Sequence, residues 1–167
     1  MRNLLSFSSG SWKWFLWLPI PVLSDQISKW LVLQNISYRE FVSVIPNLQF
    51  TLSFNPGVAF SLFDHQKGLM PFLLLGLIIL ICIALVFWLL KTPYSDKWSG
   101  IAVTLVLGGA IGNVIDRIVY GHVIDFIDFY IKSWHWYTFN LADTFITIGA
   151  AMIILQSLRG GNVKTAH

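Results

Sequence analysis

The chain has 167 residues, of which 56% are hydrophobic and only 11% are charged. A soluble domain of this size carries about a quarter charged residues, so the composition excludes an ordinary soluble protein and favours a compact polytopic membrane protein. The net charge of +3 does not indicate nucleic-acid binding, because the basic residues lie mostly at the ends of apolar runs instead of clustering.

The first apolar segment runs from Trp12 to about Leu33 and predicts a transmembrane helix. No small-x-small cleavage site follows it, so we interpret it as a retained span and not as a signal peptide. Within it, Asp25 and Lys29 are four residues apart and share one helix face. This spacing is typical both of an ion pair that ties helices together and of a functional site, and the sequence leaves both open.

Residues 34–68 are predicted to lie outside the hydrocarbon. Apolar and polar residues alternate from Leu48 to Phe54, which predicts a half-buried strand. The segment from Phe41 to Ile45 is its expected partner, across a turn at Pro46-Asn47. We therefore expect a small sheet with one apolar face on the bilayer surface.

After Asn55-Pro-Gly57 ends the strand, Val58 to Phe63 predicts a short interfacial helix. Three long apolar runs follow, each long enough to span a bilayer. The second of them contains Gly108 and Gly112 at a GxxxG spacing, which lets helices approach closely. The three runs cover about residues 70–90, 98–119 and 137–158.

These elements predict an all-α polytopic membrane protein with four transmembrane helices, a small extracytoplasmic β-sheet and a short interfacial helix. We expect a single domain over residues 1–167, with both termini in the cytoplasm because of the placement of basic residues. In that orientation several polar residues from distant parts of the chain meet near the outer face. They are Asp25, Lys29, Asn113, Asp116, Arg117 and Asp143.

Four acids compete for the role of a catalytic carboxylate pair, and Asp125 and Asp143 are the pair we predict. Asp116 has a structural explanation as the partner of Arg117 or of a basic residue on another helix. Asp128 lies among aromatic residues and is expected to face water. Asp143 interrupts an otherwise apolar helix, which points to a function. Two neighbouring carboxylates share one proton, so one can deprotonate water while the other protonates a peptide carbonyl.

Other chemistries fit less well. The four histidines have no metal-binding spacing, and the single cysteine, Cys82, excludes an internal disulfide, so we expect neither metal nor cofactor.

The alternative function is that of a non-enzymatic transport or assembly subunit with buried carboxylates. A transport path needs polar residues through both leaflets, whereas these lie near one face. An Asp143→Asn change distinguishes the peptidase hypothesis from this alternative, because a peptidase would lose cleavage of its lipidated precursor.

Five motifs lie in order along nearly the whole chain. They are Asp25-Gln-Ile-Ser-Lys29, Asn55-Pro-Gly-Val-Ala-Phe60, Gly108-Gly-Ala-Ile-Gly-Asn-Val-Ile-Asp-Arg117, Gly121-His-Val-Ile-Asp-Phe126 and Phe139-Asn-Leu-Ala-Asp143. Together they resemble the motifs of the bacterial lipoprotein signal peptidases, also called signal peptidase II. Any one of them alone is weak, but five together on four spans are specific.

The resemblance implies an aspartic endopeptidase of the bacterial inner membrane, with its active site near the outer face. It would remove the signal peptide from diacylglyceryl-modified prolipoproteins by cutting just before the lipidated cysteine. The resemblance makes Asp125 and Asp143 the catalytic dyad. The residues that would shape or support the site are Asp25, Lys29, Asn55, Gly57, Asn113, Arg117, Asn140 and Ala142. The expected partners are diacylated prolipoproteins, membrane lipids and globomycin-type inhibitors, with no nucleic acid, and we expect a monomer.

Overall fold

The computed structural model describes residues 7–57 and 69–161. The predicted interfacial helix at 58–63 lies outside the described residues. In chain order the elements are a 3-10 helix (Ser11–Leu16), α1 (Pro19–Asn35), β1 (Phe41–Ile45), β2 (Leu48–Asn55), α2 (Met70–Lys91), α3 (Lys97–Tyr120), β3 (Val123–Ile131), β4 (Trp134–His135) and α4 (Leu141–Gly161).

Helix α3 is the centre of the helical layer, because α1, α2 and α4 all pack against it. Within the described ranges, three helices are long and apolar enough to cross a membrane: Pro71–Lys91, Lys97–Tyr120 and Leu141–Arg159. Most of α3 is buried between its neighbours, whereas few residues of α2 and α4 are buried. A helix that is apolar all round and still exposed is suited to contact with lipid chains.

The predicted close approach of helices at the Gly108/Gly112 spacing is confirmed. A Cβ atom at Gly112 would overlap a carboxylate oxygen of Asp25 in α1, and one at Gly108 would overlap the ring of Pro21. Gly109 faces the other way, where a Cβ atom would overlap the carbonyl oxygen of Ala142 in α4. The glycines therefore let α1 and α4 approach α3 from two sides.

The first predicted helix is divided near its start. Instead of one helix from Trp12 to Leu33, a 3-10 helix precedes α1, which begins at Pro19. Pro19 and Pro21 thus lie at the start of α1 and do not bend its middle. Proline is tolerated there because the first backbone N–H groups of a helix have no partner within it.

The four strands form one antiparallel sheet in the order β1-β2-β3-β4. The predicted pairing of β1 with β2 is confirmed, across a two-residue turn in which Asn47 has a φ of 70°. The predicted alternation along β2 is interrupted by an irregularity between Phe50 and Ser53. As a result, the consecutive residues Thr51 and Leu52 are both buried.

Strand β3 was not predicted, because the segment was interpreted as a connection between helices. It pairs with β2 along its length, and the pairing places Asp125 opposite Ser53. Ile124 and Phe126, on either side of Asp125, are buried in a small core with β2 and α1. The strand therefore fixes the position of Asp125 on the helical layer.

The expectation that Asp128 faces water is wrong. Its side chain is 2% exposed, and its Oδ2 accepts a hydrogen bond from Nε2 of Gln49 at 2.7 Å. The same oxygen lies 2.8 Å from Nδ1 of His135. Gln49 is in β2 and His135 is in β4, so Asp128 ties together the three strands at this end of the sheet.

Helix α4 begins at Leu141, four residues after the predicted start at Tyr137. The chain before it is held to β3 by hydrogen bonds in both directions between Phe139 and Ile127, at 3.0 and 2.7 Å. Asp143 therefore lies in the first turn of α4 and not deep within it. This places Asp143 at the helix N-terminus, next to the sheet.

Candidate active site

A buried ammonium group lies where α1 and α3 meet. Lys29 is 2% exposed, and its Nζ contacts Oδ2 of Asp25 at 2.8 Å and Oδ2 of Asp116 at 2.7 Å. A third contact, at 3.1 Å, is with Oδ1 of Asn113. The ammonium group thus makes two hydrogen bonds, to Asp25 and Asn113, and ion pairs with both Asp25 and Asp116. Of the two structural explanations offered for Asp116, pairing with a basic residue of another helix is the one observed.

Asp25 connects this cluster to α4. Its Oδ1 accepts a hydrogen bond from the backbone N–H of Ala142 at 2.9 Å, and both residues are fully buried. Ala142 directly precedes Asp143. Because Lys29 and the α4 backbone bind opposite oxygens of one carboxylate, Asp25 fixes the first turn of α4 against α1.

Asp116 makes the corresponding connection to β3. Its Oδ2 accepts a hydrogen bond at 3.1 Å from the backbone N–H of Ile124, which directly precedes Asp125. Its Oδ1 accepts one at 2.9 Å from Nε2 of Gln26, which also donates to the carbonyl oxygen of Gly112 at 3.1 Å. Gln26 and Asp116 were missing from the predicted supporting residues. The sequence could have pointed to Gln26 because it directly follows Asp25 of the Asp25–Lys29 pair.

Asn113 connects Lys29 to Asp143, the second of the two predicted catalytic acids. Its Nδ2 donates to Oδ1 of Asp143 at 2.8 Å. Its Oδ1 accepts hydrogen bonds from Nζ of Lys29 and from Nδ2 of Asn140, both at 3.1 Å. With one oxygen facing two donors, the amide of Asn113 can have only one orientation.

Asn140 and Asp143 cap the N-terminus of α4 reciprocally. Oδ1 of Asn140 accepts from the backbone N–H of Asp143 at 2.9 Å, and Oδ2 of Asp143 accepts from the backbone N–H of Asn140 at 3.4 Å. This is the arrangement of a capping box, with aspartate as the third helical residue. The partial positive charge of a helix N-terminus favours a negative side chain at this place.

Both carboxylate oxygens of Asp125 accept side-chain hydrogen bonds. Nδ2 of Asn140 donates to Oδ1 at 2.7 Å, and Nδ2 of Asn55 donates to Oδ2 at 2.9 Å. Burial of the side chain raises the pKa of Asp125 to about 6. The negative charge of Asp143 adds to this rise, while the hydrogen bonds from Asn55 and Asn140 oppose it.

Arg117 lies beside this pair. Its Nη1 donates to the carbonyl oxygen of Asn113 at 3.2 Å, and its buried Nε has no hydrogen-bond partner in the part of the chain that is described. Gly57 has a φ of 81°, and its N–H donates to Oδ1 of Asn55 at 2.8 Å. A Cβ atom on Gly57 would lie 3.2 Å from Nη2 of Arg117, so this turn leaves room for the guanidinium group.

The structure thus brings all ten predicted site residues into one region at the α3 C-terminus, the α4 N-terminus and the β2–β3 pair. All ten belong to one hydrogen-bond network. Its members among the predicted residues are Asp25, Lys29, Asn55, Gly57, Asn113, Arg117, Asp125, Asn140, Ala142 and Asp143. In this network the side-chain amide of Asn140 donates to the carboxylate of Asp125, that of Asn113 donates to the carboxylate of Asp143, and the two amides are hydrogen-bonded to each other.

A sequence profile of the family described as Signal peptidase (SPase) II matches residues 18–159. The chain belongs to this family. The signal peptidase II assignment confirms the resemblance inferred from the five motifs, and it confirms that the protein is a peptidase of the aspartic class that removes signal peptides from prolipoproteins.

Individual members of the family are similar over nearly their full length. The lipoprotein signal peptidase of Vibrio cholerae serotype O1 is 41% identical over 161 residues, covering 95% of this chain and 94% of its own. That of Aeromonas hydrophila is 42% identical over 164 residues, covering 97% of each chain. A bacterial membrane enzyme solved by the in meso method at 2.3 Å resolution has a TM-score of 0.81 and 29% identity, and the match covers 98% of both chains.

Proposed function

We propose that Asp125 and Asp143 are the catalytic pair with which this signal peptidase II cleaves diacylated prolipoproteins just before the lipidated cysteine. The observation that carries the proposal is the position of Asn140. Its side chain donates to Asp125 and accepts from the backbone of Asp143. Two acids from separate elements therefore share one rigid amide, which suits a pair that acts on one water molecule.

The two carboxylates have different surroundings, which assigns them different roles. Asp125 is buried and its pKa is raised to about 6, so we assign it the role of the proton donor. Asp143 accepts a hydrogen bond from Nδ2 of Asn113 and lies in the first turn of α4, so we assign it the role of the base. The proton belongs to the coupled pair and not to one acid alone.

In the reaction, Asp143 takes a proton from water while the water oxygen attacks the scissile carbonyl carbon. Asp125 gives its proton to the carbonyl oxygen. When the tetrahedral intermediate collapses, the C–N bond breaks and the amine of the cysteine leaves with the proton that Asp143 took from water. Asp125 takes back a hydroxyl proton of the intermediate as the new carbonyl group forms, so both acids return to their starting state. No covalent enzyme intermediate is needed. Nε of Arg117, which has no hydrogen-bond partner within residues 7–57 and 69–161, is the donor that we assign to a substrate carbonyl.

We place the site near the outer face of the bacterial inner membrane, in a single domain over residues 1–167 with four spans and cytoplasmic termini. The 3-10 helix and α1 together provide the fourth span, since at about 2.0 and 1.5 Å per residue they exceed the hydrocarbon thickness. Trp134, Trp136 and Tyr137 are exposed beside the sheet. Exposed aromatic residues of this kind favour the membrane–water interface.

This placement fits a lipidated substrate. Its acyl chains stay in the leaflet, so the bond before the cysteine is presented close to the surface where the two carboxylates lie. We expect membrane lipids as the surroundings, a monomer as the active form, and globomycin-type inhibitors to occupy the same groove. The alternative function as a transport or assembly subunit is not retained, because the family is a peptidase family.

The test is cleavage of a purified diacylated precursor by Asp125→Asn and Asp143→Asn variants in detergent. Each should lose at least about 10²- to 10⁴-fold in rate, the usual contribution of general acid–base groups. The double variant should be no worse than either single one, because the two acids act as a unit. Binding of the precursor, measured separately, should persist.

Asp128→Asn is the matched control. It changes a buried acid on the same strand whose partners are Gln49 and His135, not the other carboxylates. Its cleavage rate should stay within about threefold of wild type. Full cleavage by Asp143→Asn, or an equal loss in Asp128→Asn, would contradict the assignment of the pair.

A further inference from the structure

A cavity lies at the end of the helical layer far from the two carboxylates. It opens between the 3-10 helix, the start of α1 and the start of α3, and has a volume of about 390 Å³. That volume is within the range of small-molecule sites, about 300–1,000 Å³. Its lining residues are Trp14, Trp17, Ile20, Pro21, Tyr94, Lys97, Ile101, Thr104 and Leu105.

The cavity is on the opposite membrane surface from the active site. Along α3, Lys97 lines the cavity and Asn113 belongs to the site, and sixteen residues of helix separate them by about 24 Å. This is close to the hydrocarbon thickness of a bilayer, about 30 Å. The cavity therefore faces the lipid headgroups and upper acyl chains of the other leaflet.

One end of the cavity is positively charged. The Nζ atoms of Lys97 and Lys13 lie 3.2 and 5.3 Å from the ring centroid of Tyr94. Nε1 of Trp17 donates to the hydroxyl of Tyr94 at 3.4 Å. This bond and the two ammonium groups lower the pKa of Tyr94. Two ammonium groups, the indole N–H of Trp17 and the hydroxyl of Tyr94 therefore lie close together at this end of the cavity.

These cations are not neutralised within residues 7–57 and 69–161, where neither lysine forms an ion pair. The acid nearest in sequence, Asp96, has another function: its Oδ1 accepts from the backbone N–H of Ser99 at 3.1 Å and caps α3. The other end of the cavity is apolar, with the exposed side chains of Ile20 and Ile101 on its wall.

We propose that this cavity binds one anionic phospholipid of the leaflet opposite the active site. The phosphate lies between Lys13 and Lys97, where the hydroxyl of Tyr94 can also donate to it. One acyl chain lies along Ile20, Ile101 and Leu105. Lysine ammonium groups bind phosphate as point charges, and each contributes to the attraction of anionic lipid at a membrane surface. A zwitterionic headgroup adds its own positive charge, so it should bind less well.

The experiment is native mass spectrometry of the purified full chain in mild detergent, titrated with phosphatidylglycerol or phosphatidylcholine. Lys13→Gln with Lys97→Gln should weaken phosphatidylglycerol binding about 10- to 30-fold and leave phosphatidylcholine binding unchanged. The matched control is Lys91→Gln with Arg159→Gln, which removes the same charge from two residues that are not among those described as lining the cavity or lying over the ring of Tyr94. It should change binding less than threefold.

A second variant distinguishes lipid binding inside the cavity from non-specific electrostatic attraction of anionic lipid. Ile101→Trp fills the apolar end without changing a charge, and it should also weaken phosphatidylglycerol binding at least about fivefold. Millimolar glycerol phosphate, the soluble headgroup analogue, should not displace the lipid. Equal losses in the two double variants, wild-type binding by Ile101→Trp, or displacement by glycerol phosphate would each overturn the proposal. None of these outcomes bears on the peptidase site, since no residue is shared.

Discussion

Nδ2 of Asn140 lies 2.7 Å from Oδ1 of Asp125, and the same side chain accepts the backbone N–H of Asp143 through its oxygen. The amide of Asn140 therefore links the carboxylate of Asp125 to the backbone of Asp143. It is oriented in turn by Asn113, whose Oδ1 accepts from Asn140 at 3.1 Å. This explains how Asp125 in β3 and Asp143 in α4 keep a fixed position relative to each other.

Replacing Asn140 by alanine should slow cleavage more than it weakens substrate binding. The change removes a hydrogen bond to a carboxylate, worth about 1.5–3 kcal/mol, so we expect kcat to fall about 10- to 100-fold with KM changed less than threefold. Asn35→Ala is the control, because that exposed amide donates to the carbonyl oxygen of Leu31 in its own helix. A normal kcat for Asn140→Ala would show that the amide does not position the pair.

The rate of cleavage should depend on the protonation of Asp125. Its pKa is raised to about 6, so the proton is present below that pH and is lost as the pH rises through it. We therefore expect kcat/KM to decline on the alkaline side with an apparent pKa near 6. Asn55→Ala removes a hydrogen bond that favours the ionised form, which should move this decline to higher pH.

Gln49→Ala is the matched control for the pH profile, because Gln49 is on the same strand and donates to Asp128. It should leave the alkaline decline where it is in wild type. A profile that does not move in Asn55→Ala, or that moves downward, would mean that Asp125 does not carry the essential proton.

Replacing Lys29 by methionine should destabilise the protein strongly. The change leaves the carboxylates of Asp25 and Asp116 buried without their cation, and removing one partner of a buried ion pair costs about 3–5 kcal/mol. The measurement is thermal unfolding in detergent, with exposed Lys91→Met as the control. Adding Asp116→Asn to Lys29→Met should recover part of the loss, whereas an additive loss would mean that the charges are not coupled.

Alanine at Gly112 should lower the unfolding temperature, and alanine at Gly76 should not. A Cβ atom at Gly112 would overlap the carboxylate of Asp25, whereas one at Gly76 meets no atom within 4 Å. Overpacking of this kind costs about 1–3 kcal/mol, while an open helical glycine gains up to about 1 kcal/mol from alanine. Equal unfolding temperatures for the two variants would show that α1 can move away from α3.

Several elements could be predicted because their cause is local. A bilayer requires about 20 apolar residues, so the run that forms α2 is evident from composition alone. The hairpin of β1 and β2 follows from alternation and a turn. The motifs that carry the family resemblance are contiguous stretches, and for this reason the family and the enzyme class could be read without coordinates.

Other elements could not be predicted because their cause lies far away in the chain. Strand β3 exists through its pairing with β2, some seventy residues earlier. The start of α4 is delayed because Phe139 pairs with Ile127, although nothing in its own composition opposes a helix. Asp128 is buried because Gln49 and His135 both reach it, and neither contact leaves a periodic pattern.

The sequence by itself determined that this is a membrane peptidase of the signal peptidase II family, and it pointed to two aspartates. Only the tertiary structure decided how those aspartates are held: Asp25 and Asp116 bind the backbone just before Asp143 and Asp125, and one lysine joins the two supports. The physical reason is that hydrogen bonds and ion pairs act over a few ångströms in space. Their partners here come from four separate segments that only folding brings together.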